Sequence, residues 1–480
     1  MSPSVHRTYH AWTSTVAYTK TAWFDAIGGL ESPRHTGGMT KEGHIRRLLR
    51  SVPSSASGIP SYLLAHFAKS QLWHASTLLF GFFLTEISRV APDAMGWILT
   101  ASLLLNGLVD LALGKWWGQR VDSLGAAYRM QARAAPLICA CFLLFCLTPL
   151  VWEAARPLWA LGTLLGFRAS YPLLDVAQNA APSLLPITAR ERRGLIAHRN
   201  IASGIAGILV CAVAAPLLIQ YRDPWGYLLW AAAVASLACA SAWRLPRAGG
   251  RVAPLRPVLY HATPASVPFS TVLAALAGVT FAGTVFRATE PYYAAFVGHN
   301  AALLLWTAIG ATVSQPLWLW CRNRWSIEAM LAAAAALSLL SAAVLLGTQR
   351  ASTASAIAVG LGFGAGSGGL WLMLWSAMAD RAAQGNATRH VGAFTCVSKL
   401  AQSAAMLLTG QVLALSSYRT ALRDPFSLPS LLMVGMLLAI AGICIALALD
   451  VAFRRTRSDG RSAPRRPADP RVRVRGRLPG

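Results

Sequence analysis

Long apolar runs recur along the chain from Tyr62 to Phe453, and they constrain the fold more than any other feature. A helix needs roughly 20 apolar residues to cross the hydrocarbon core of a bilayer, which is about 30 Å thick. The composition agrees, because 55% of the 480 residues are hydrophobic and only 13% are charged. We therefore predict an all-α membrane protein with about twelve transmembrane helices. The predicted spans are 62–85, 94–116, 134–152, 157–186, 199–220, 225–243, 268–297, 301–320, 328–348, 354–379, 391–416 and 428–453.

Basic residues are concentrated in alternate gaps between the predicted spans. The gaps after the even-numbered spans carry most of them, whereas the other gaps carry few. Since basic loops stay in the cytosol, both termini are predicted to be cytosolic. The net charge of +25 therefore reflects membrane orientation and does not indicate nucleic-acid binding. The basic residues of the even gaps are Lys115, Arg120, Arg129, Arg133, Arg190, Arg192, Arg193, Arg199, Arg244, Arg247, Arg251, Arg256, Arg322, Arg324, Arg381 and Arg389.

The longest basic gap is rich in proline and arginine, follows the sixth span and divides the chain into two sets of six spans. Two similar halves joined in this way are typical of parallel-repeat transporters, whose solute site lies between the halves. The basic tail is expected to be disordered and to contact anionic lipid headgroups. The predicted organisation is a cytosolic extension 1–60, an N-terminal half 61–244, a linker 245–267, a C-terminal half 268–453 and a tail 454–480.

Several patterns that could indicate other chemistry are better explained by packing. The eight cysteines lie almost all within apolar runs without C-x-x-C spacing, so we predict small buried residues and no metal site. The glycine-rich stretch from Gly360 follows no strand, and Gly362 and Gly366 are expected to permit close helix packing. No Ser/His/Asp order has the context that an enzyme needs, so we predict no catalytic residue and no cofactor.

Ionisable side chains inside the spans are the strongest functional signal, since each costs about 2.5 to 3.5 kcal/mol on insertion scales. Four helices bring opposite charges to one depth, and two interpretations follow. In the first, Asp110 and Asp175 pair with Lys69 and Lys399 to hold the bundle together. In the second, the carboxylates accept a coupling cation or proton. The ionisable candidates are His66, Lys69, Asp110, Arg168, Asp175, Arg287, Glu290 and Lys399.

Polar neighbours of these charges are candidate ligands for a solute. Asn106, Gln178 and Asn179 lie in the same predicted spans as the two aspartates. Arg287 and Glu290 are three residues apart on one helical face, so they form either a local ion pair or part of the functional site.

Two segments of the N-terminal half resemble the motifs of a known family. The segment YLLAHFAKSQLW is similar to the family's opening span, in which an aspartate usually stands at the position of His66. The segment NGLVDLALGKWWGQR resembles Asp-x-x-x-Asp-Pro-x-x-Gly followed by a basic loop. Asn106 replaces the first aspartate, Asp110 matches the second, Leu111 replaces the proline and Gly114 keeps the glycine.

Two longer segments extend the resemblance. YPLLDVAQNAAPSLLPITARERRGLIAHRNIASGIAG is similar to the fourth span, its loop and the start of the fifth span. Asp175 falls on the family's substrate-binding aspartate, Glu191 on its Glu-Arg loop and Arg199 on the arginine that opens the fifth span. SAMADRAAQGNATRHVGAFTCVSKLAQSAAMLLTGQVL is similar to the tenth and eleventh spans, with Asp380 ending one span and Lys399 on the family's lysine.

Together, these segments resemble the glycoside, pentoside and hexuronide cation symporters of melibiose-permease type, within the major facilitator superfamily. The resemblance covers the chain from about Tyr62 to Phe453 and implies a twelve-helix major facilitator fold, alternating access and secondary cotransport. The candidate roles that follow are cation or proton coupling at Asp110, His66, Asn106 and Asp175; solute binding at Asp175, Asn179, Gln178, Arg168 and Lys399; and a charge network or gate of Lys69, Lys399, Arg199, Glu191, Asp380, Arg287 and Glu290.

Departures from the family pattern change the expected ion and solute. Sodium needs several hard oxygen ligands, whereas His66 and Asn106 stand where the family often has carboxylates. A proton on Asp110 or His66 is therefore the favoured coupling ion. Asn179 stands at or near the position of a sugar-stacking ring, and several cations lie in the bundle, so an anionic or amphipathic solute has equal weight with a sugar.

We therefore predict a monomeric, multi-pass secondary transporter of the inner (plasma) membrane that moves a sugar, glycoside, organic anion or amphipathic molecule by alternating access. A lysolipid or drug and natural-product exporter of the same fold is one alternative. A non-transporting sensor or scaffold, or a membrane-embedded lipid-modifying enzyme, is an alternative of another class. An enzyme is disfavoured because the odd-numbered gaps are too short to hold an active site.

Overall fold

The computed structural model describes residues 58–116, 124–184, 189–248, 268–298, 301–322, 324–347, 353–382 and 387–461. Its long elements in these ranges are all helices, which confirms the predicted all-α class. The twelve long helices of the described residues are α1 Ile59–Leu78, α2 Pro92–Trp116, α3 Leu124–Cys146, α4 Arg156–Leu184, α5 Ala189–Leu209, α6 Pro224–Ala248, α7 Phe269–Tyr293, α8 Ala302–Val313, α9 Ile327–Gly347, α10 Thr353–Ala382, α11 Ala387–Leu415 and α12 Leu428–Arg461.

Several helices continue beyond a local irregularity. Three of the continuations include a π-helical turn, an irregularity that often lies at functional sites. One such turn, Phe83–Ile87, ends the rod that begins as α1 and carries Glu86. The continuations are Phe80–Phe82 and Phe83–Ile87 after α1, Val210–Ala214 and Ala215–Ile219 after α5, Ala294–Gly298 after α7 and Gln315–Arg322 after α8.

Ten of the described helices are long and apolar enough to cross a membrane. α1 and α4 fall outside this group although α4 is 29 residues long. Both carry ionisable residues in their middle turns, Lys69 in α1 and Asp175 in α4, and these lower the hydropathy. The two helices that least resemble membrane spans by composition therefore both carry functional candidates.

Several helices begin or end away from the ends of the predicted apolar spans. α3 ends at Cys146 rather than at 152, because Pro149 lies in a separate 3-10 turn, Thr148–Leu150. α5 begins at Ala189, ten residues before the apolar run begins. α12 extends to Arg461, past the predicted tail boundary at 454, and Arg454 pairs with Asp450 one turn earlier at 2.8 Å. The extension 1–57, most of the linker and residues 462–480 of the tail lie outside the described residues.

Buried apolar residues form two clusters. One is formed mainly by α1 to α6, where the Phe80 and Phe145 rings lie 4.1 Å apart between centroids. The other is formed by α7 to α12, where Phe286 and Phe363 lie 4.3 Å apart. We refer to α1 to α6 as the N-terminal half and to α7 to α12 as the C-terminal half.

α2 and α11 make the most extensive helix contact and join the two halves. A Cβ added to Gly410 would lie 2.6 Å from the Cα of Gly96, so the two backbones touch where neither residue has a side chain. Thr100, four residues after Gly96, and Ser403, seven residues before Gly410, exchange hydroxyl-to-carbonyl hydrogen bonds of 3.1 Å. Small residues at a helix interface allow this approach within a membrane.

The glycine-rich stretch of α10 packs as predicted. A Cβ at Gly360 would lie 2.9 Å from the carbonyl oxygen of Leu303 in α8. On another face, a Cβ at Gly366 would lie 3.3 Å from the carbonyl oxygen of Ala334 in α9. α10 is therefore held between two neighbours, and its remaining face is directed towards the space between the halves. Six of the eight cysteines are buried, in line with the predicted packing role, and all eight are free.

Candidate functional site

A cavity of about 400 Å³ lies between the two halves. α1, α2, α4 and α5 line it from the N-terminal half, and α7, α10, α11 and α12 line it from the C-terminal half. Its volume is within the range of small-molecule sites. The sequence candidates that line it are His66, Lys69, Arg168, Asp175, Asn179, Arg199, Arg287 and Lys399.

A direct ion pair joins α1 to α4 at this cavity. Lys69 Nζ lies 2.5 Å from Asp175 Oδ1, with side chains that are 5% and 21% exposed. This is one of the two pairings that the sequence suggests for the aspartates. Because both groups are withdrawn from water, each depends on the other to offset its desolvation.

Asp110 and Asn106 lie one turn apart in α2, behind the cavity wall. Both are buried, and neither Asp110 Oδ2 nor Asn106 Oδ1 has a hydrogen-bond partner among the described residues. Asn106 Nδ2 donates to the carbonyl of Arg168 at 2.7 Å, which fixes the amide against α4. Asp110 is within electrostatic reach of Lys399, Asp175 and Lys69. Asp110 is therefore a buried carboxylate with one oxygen that no described residue satisfies.

Lys399 enters the same space from α11 but forms no direct ion pair with Asp110. Gly107 of α2 makes room for it, since a Cβ at that glycine would lie 3.1 Å from the Lys399 Cβ. The Lys399 ammonium instead lies 3.5 Å from the centre of the Trp73 ring, across the boundary between the halves. We name Lys69, Asp110, Asp175 and Lys399 the inner charge group.

Arg287 and Glu290 do not form the local ion pair that their spacing allows. Arg287 Nη2 donates to Ser367 Oγ at 3.4 Å, whereas Glu290 Oε1 accepts from Thr307 Oγ1 at 2.7 Å. Arg287 lines the cavity, and Glu290 is buried behind it with 1% exposure. The pair is split because each side chain has a closer partner on another helix, on α10 for Arg287 and on α8 for Glu290.

The remaining candidates divide between the cavity and its surroundings. Gln178 is directed away from the cavity, because its amide donates to the carbonyl of Tyr62 at 3.1 Å. Arg199 Nη1 donates to Asn179 Oδ1 at 3.2 Å, which links α5 to α4 at the cavity wall. His66 is 6% exposed and its Nδ1 has no partner in the described structure. The side chains of Glu191 and Asp380 lie outside the described residues.

Sequence reasoning missed the aromatic wall of the cavity. Trp73 follows Lys69 by four residues, lines the cavity and stacks on Tyr171 at 5.4 Å between centroids. Trp371 and Trp375 of α10 line it from the other half. The only signal was the spacing of Lys69 and Trp73, which places them on one helical face. Tryptophan inside an apolar run is otherwise typical of ordinary core packing.

Sequence reasoning also missed a polar cluster at the end of the rod that begins as α1. Glu86 accepts a 2.6 Å hydrogen bond from the Tyr418 hydroxyl and ion pairs from Arg419 at 3.1 Å and Arg222 at 3.4 Å. Burial raises the pKa of Tyr418, which keeps its hydroxyl a donor. The nearby Thr85 and Tyr292 hydroxyls lie 2.8 Å apart, so both halves meet here. We name Glu86, Arg222, Tyr418 and Arg419 the Glu86 clamp.

The donor set of the site combines carboxylates, ammonium groups and aromatic rings. In the described part of the chain, no group of three or more His, Cys, Asp or Glu side chains is arranged to hold a metal ion. The inner charge group offers two carboxylates beside two ammonium groups. These ammonium groups oppose the binding of a metal cation next to them.

Two solved structures with the same fold are distant in sequence. A proton-dependent oligopeptide transporter is 13% identical, with a TM-score of 0.62 over 83% of this chain and 99% of its own. The nucleoside transporter NupG is 11% identical, with a TM-score of 0.54 over 82% of this chain and 99% of its own. No curated protein sequence matches the chain significantly. At these identities the likeness establishes the fold alone.

The family model described as MFS/sugar transport protein matches residues 61–455. This range begins and ends within two residues of the segment from 62 to 453 to which the motif resemblance extends. It contains the cavity, the inner charge group and the Glu86 clamp. The family includes the melibiose-type symporters, which confirms the resemblance. The chain therefore belongs to the MFS/sugar transport protein family of multi-pass membrane transporters.

Proposed function

We propose that this protein is a secondary active transporter that moves a small organic solute across the inner membrane by alternating access. The observation that carries the proposal is a cavity walled by both halves, with a buried carboxylate behind it that has an unpartnered oxygen, Asp110 Oδ2. A solute held between two halves is released to either side when the halves rock against each other. We further propose twelve spans and cytosolic termini, on the basis of the basic even-numbered gaps.

We propose a proton rather than sodium as the coupling ion. Sodium is bound by several hard oxygen ligands, whereas Asp110 has Lys399 and Lys69 within electrostatic reach. Asn106, the nearest polar neighbour along α2, has one free amide oxygen to offer. A proton needs only the one carboxylate oxygen, and the neighbouring ammonium groups favour its release once the solute has moved.

Transport by the purified chain in liposomes tests the proposal. A dye in the lumen reports pH while melibiose, dialanine, uridine and 3-phenylpropionate are added in turn across a pH gradient. We expect solute-dependent proton movement with at least one of them. Binding of a solute without its movement would contradict transport and favour a sensor. Chemical conversion of a solute would favour an enzyme.

A further inference from the structure

The cavity wall carries more cations than carboxylates. Five of its lining residues are lysine or arginine, and one is a carboxylate, Asp175, which already pairs with Lys69. Two further carboxylates lie behind the wall, where Asp110 interacts electrostatically with Lys399, and Glu290 with Arg287. Counting both still leaves the cations in excess. A low-dielectric cleft lined by one sign of charge concentrates ligands of the opposite sign.

Arg168 has hydrogen-bonding capacity that the protein leaves unused. Its side chain is among the largest that are fully buried, with 1% exposure, and it lines the cavity. Nε and Nη1 have no partner among the described residues, and Nη2 reaches only the carbonyl of Ser76 at 3.4 Å. None of the described carboxylates lies within 4.0 Å of it. A buried guanidinium is costly until an anion accepts from it, and its planar fork suits an acid group.

The cavity also presents aromatic faces from both halves. In the N-terminal half, Trp73 has the Arg168 guanidinium 5.1 Å and the Lys399 ammonium 3.5 Å from its ring centre. In the C-terminal half, Trp371 and Trp375 line the same space. Cations and large flat rings therefore line the same cavity. Such a wall matches a ligand that has an acid group at one end and a flat apolar body.

We propose that the cavity binds an aromatic organic anion, an inference that rests on the proposed function and specifies its solute class. The acid group pairs with Arg168 and Lys399, and the aromatic body packs against Trp73, Trp371 and Trp375. The acid draws the Lys399 ammonium away from the Trp73 ring, which frees that ring for the ligand. A neutral sugar would leave the cations of the wall unpaired, and a zwitterion would bring its own ammonium group among them.

Binding of three matched probes to the full chain in lipid nanodiscs tests the inference by isothermal titration calorimetry. The probes are 3-phenylpropionate, its neutral amide 3-phenylpropionamide and its saturated counterpart 3-cyclohexylpropionate. We expect the aromatic acid to bind at least about tenfold more tightly than the amide, because a charge-assisted pair is lost. It should also bind several-fold more tightly than the saturated acid, which cannot stack.

Variants locate the site within the protein. Lys399→Gln should weaken 3-phenylpropionate about tenfold and leave the amide unchanged. Lys115→Gln, an exposed lysine in α2, should change neither. If Lys399→Gln does not fold, the three probes on the parent chain still decide. Equal affinity for acid and amide, or no measurable binding of the acid, overturns the inference. Uphill transport of a neutral solute in place of the acid would support the proposed function and contradict the inferred solute class. Binding of the acid without its transport would support the inferred ligand class and contradict the proposed function.

Discussion

The Glu86 clamp and the inner charge group both join helices through buried carboxylates, but they differ in how completely those carboxylates are partnered. Glu86 receives donors from three residues on two segments, at 2.6 Å from Tyr418, 3.1 Å from Arg419 and 3.4 Å from Arg222. In the inner charge group the only direct ion pair among the described residues is Lys69 with Asp175. Asp110 keeps an oxygen without a partner.

The difference lies also in where the cations are. The clamp arginines are 38% and 59% exposed, so water screens them and each pair contributes little stability. Lys69 and Lys399 are 4% and 6% exposed, so their charges depend on the protein. Arg222 also has a φ of 50°, a strained conformation for a residue other than glycine. The weak, fully partnered pairs of the Glu86 clamp suit a contact between the halves that forms and breaks. The buried and incompletely partnered inner charge group suits the proposed binding and release of a proton and a solute.

The largest effect is expected from removing the lysine of the one direct inner pair. Lys69→Met leaves the partly buried Asp175 carboxylate without its partner, which costs up to roughly 3 to 5 kcal/mol, the figure for a fully buried pair. We expect a large fall in the melting temperature and in the amount of folded protein in the membrane. Thermal unfolding of the purified variant measures the first, and size-exclusion chromatography of the extract measures the second.

Two controls separate this effect from the loss of any lysine. Lys115→Met removes an exposed lysine from α2 and should be nearly neutral. The double change Lys69→Met with Asp175→Asn removes both charges and should recover most of the lost stability. A Lys69→Met protein as stable as the parent would show that the pair does not hold α1 to α4.

The second effect concerns coupling rather than stability. Asp110 makes no direct ion pair, so Asp110→Asn should keep the folded amount and abolish uphill accumulation. One proton moving down one pH unit supplies about 1.4 kcal/mol, or a tenfold solute gradient, and the variant should show none. Proteoliposomes with an imposed pH gradient measure this with a solute that the parent moves. Asp93→Asn, exposed at the start of the same helix, is the control. Undiminished accumulation would remove Asp110 from the mechanism.

The sequence predicts the inner charge group better than its detailed pairing. Ionisable residues within apolar runs stand out because they are costly, and Lys69, Asp175, Arg168 and Lys399 all reach one cavity. Their partners could not be predicted, since pairing depends on how far each helix is rotated about its axis. Lys399 lies over Trp73 rather than beside Asp110 for this reason.

The Glu86 clamp could not be predicted from the sequence. A glutamate at the end of a span is ordinary, because helix ends meet water and charges there cost little. Its partners Arg222 and Arg419 are 136 and 333 residues away along the chain. Only the folded bundle brings these three segments together. The same limit applies to the span boundaries, where the helices extend past their apolar runs into polar residues.

The smallest effect on stability, and the most specific effect on conformation, is expected at the clamp. Glu86→Gln removes two partly exposed ion pairs worth about 0.2 to 1 kcal/mol each, so the folded protein should persist. If the clamp holds the halves together at this end of the bundle, the same loss of energy raises the fraction of molecules that are open there by about 2- to 30-fold. In right-side-out vesicles, a membrane-impermeant maleimide should then label Thr284→Cys, in the cavity wall, faster when Glu86→Gln is also present.

The parent chain, labelled in parallel, corrects for the eight native cysteines. Glu153→Gln changes an exposed glutamate in another loop and should leave the labelling rate unchanged. High salt should raise the labelling rate of Thr284→Cys even with Glu86 present, because screening weakens exposed ion pairs. If labelling is equal with and without Glu86→Gln, the clamp does not hold that end closed. The contacts of Glu86 would then only stabilise the helix ends. The Glu86 clamp and the inner charge group would differ in how deeply their cations are buried, and not in whether they move during transport.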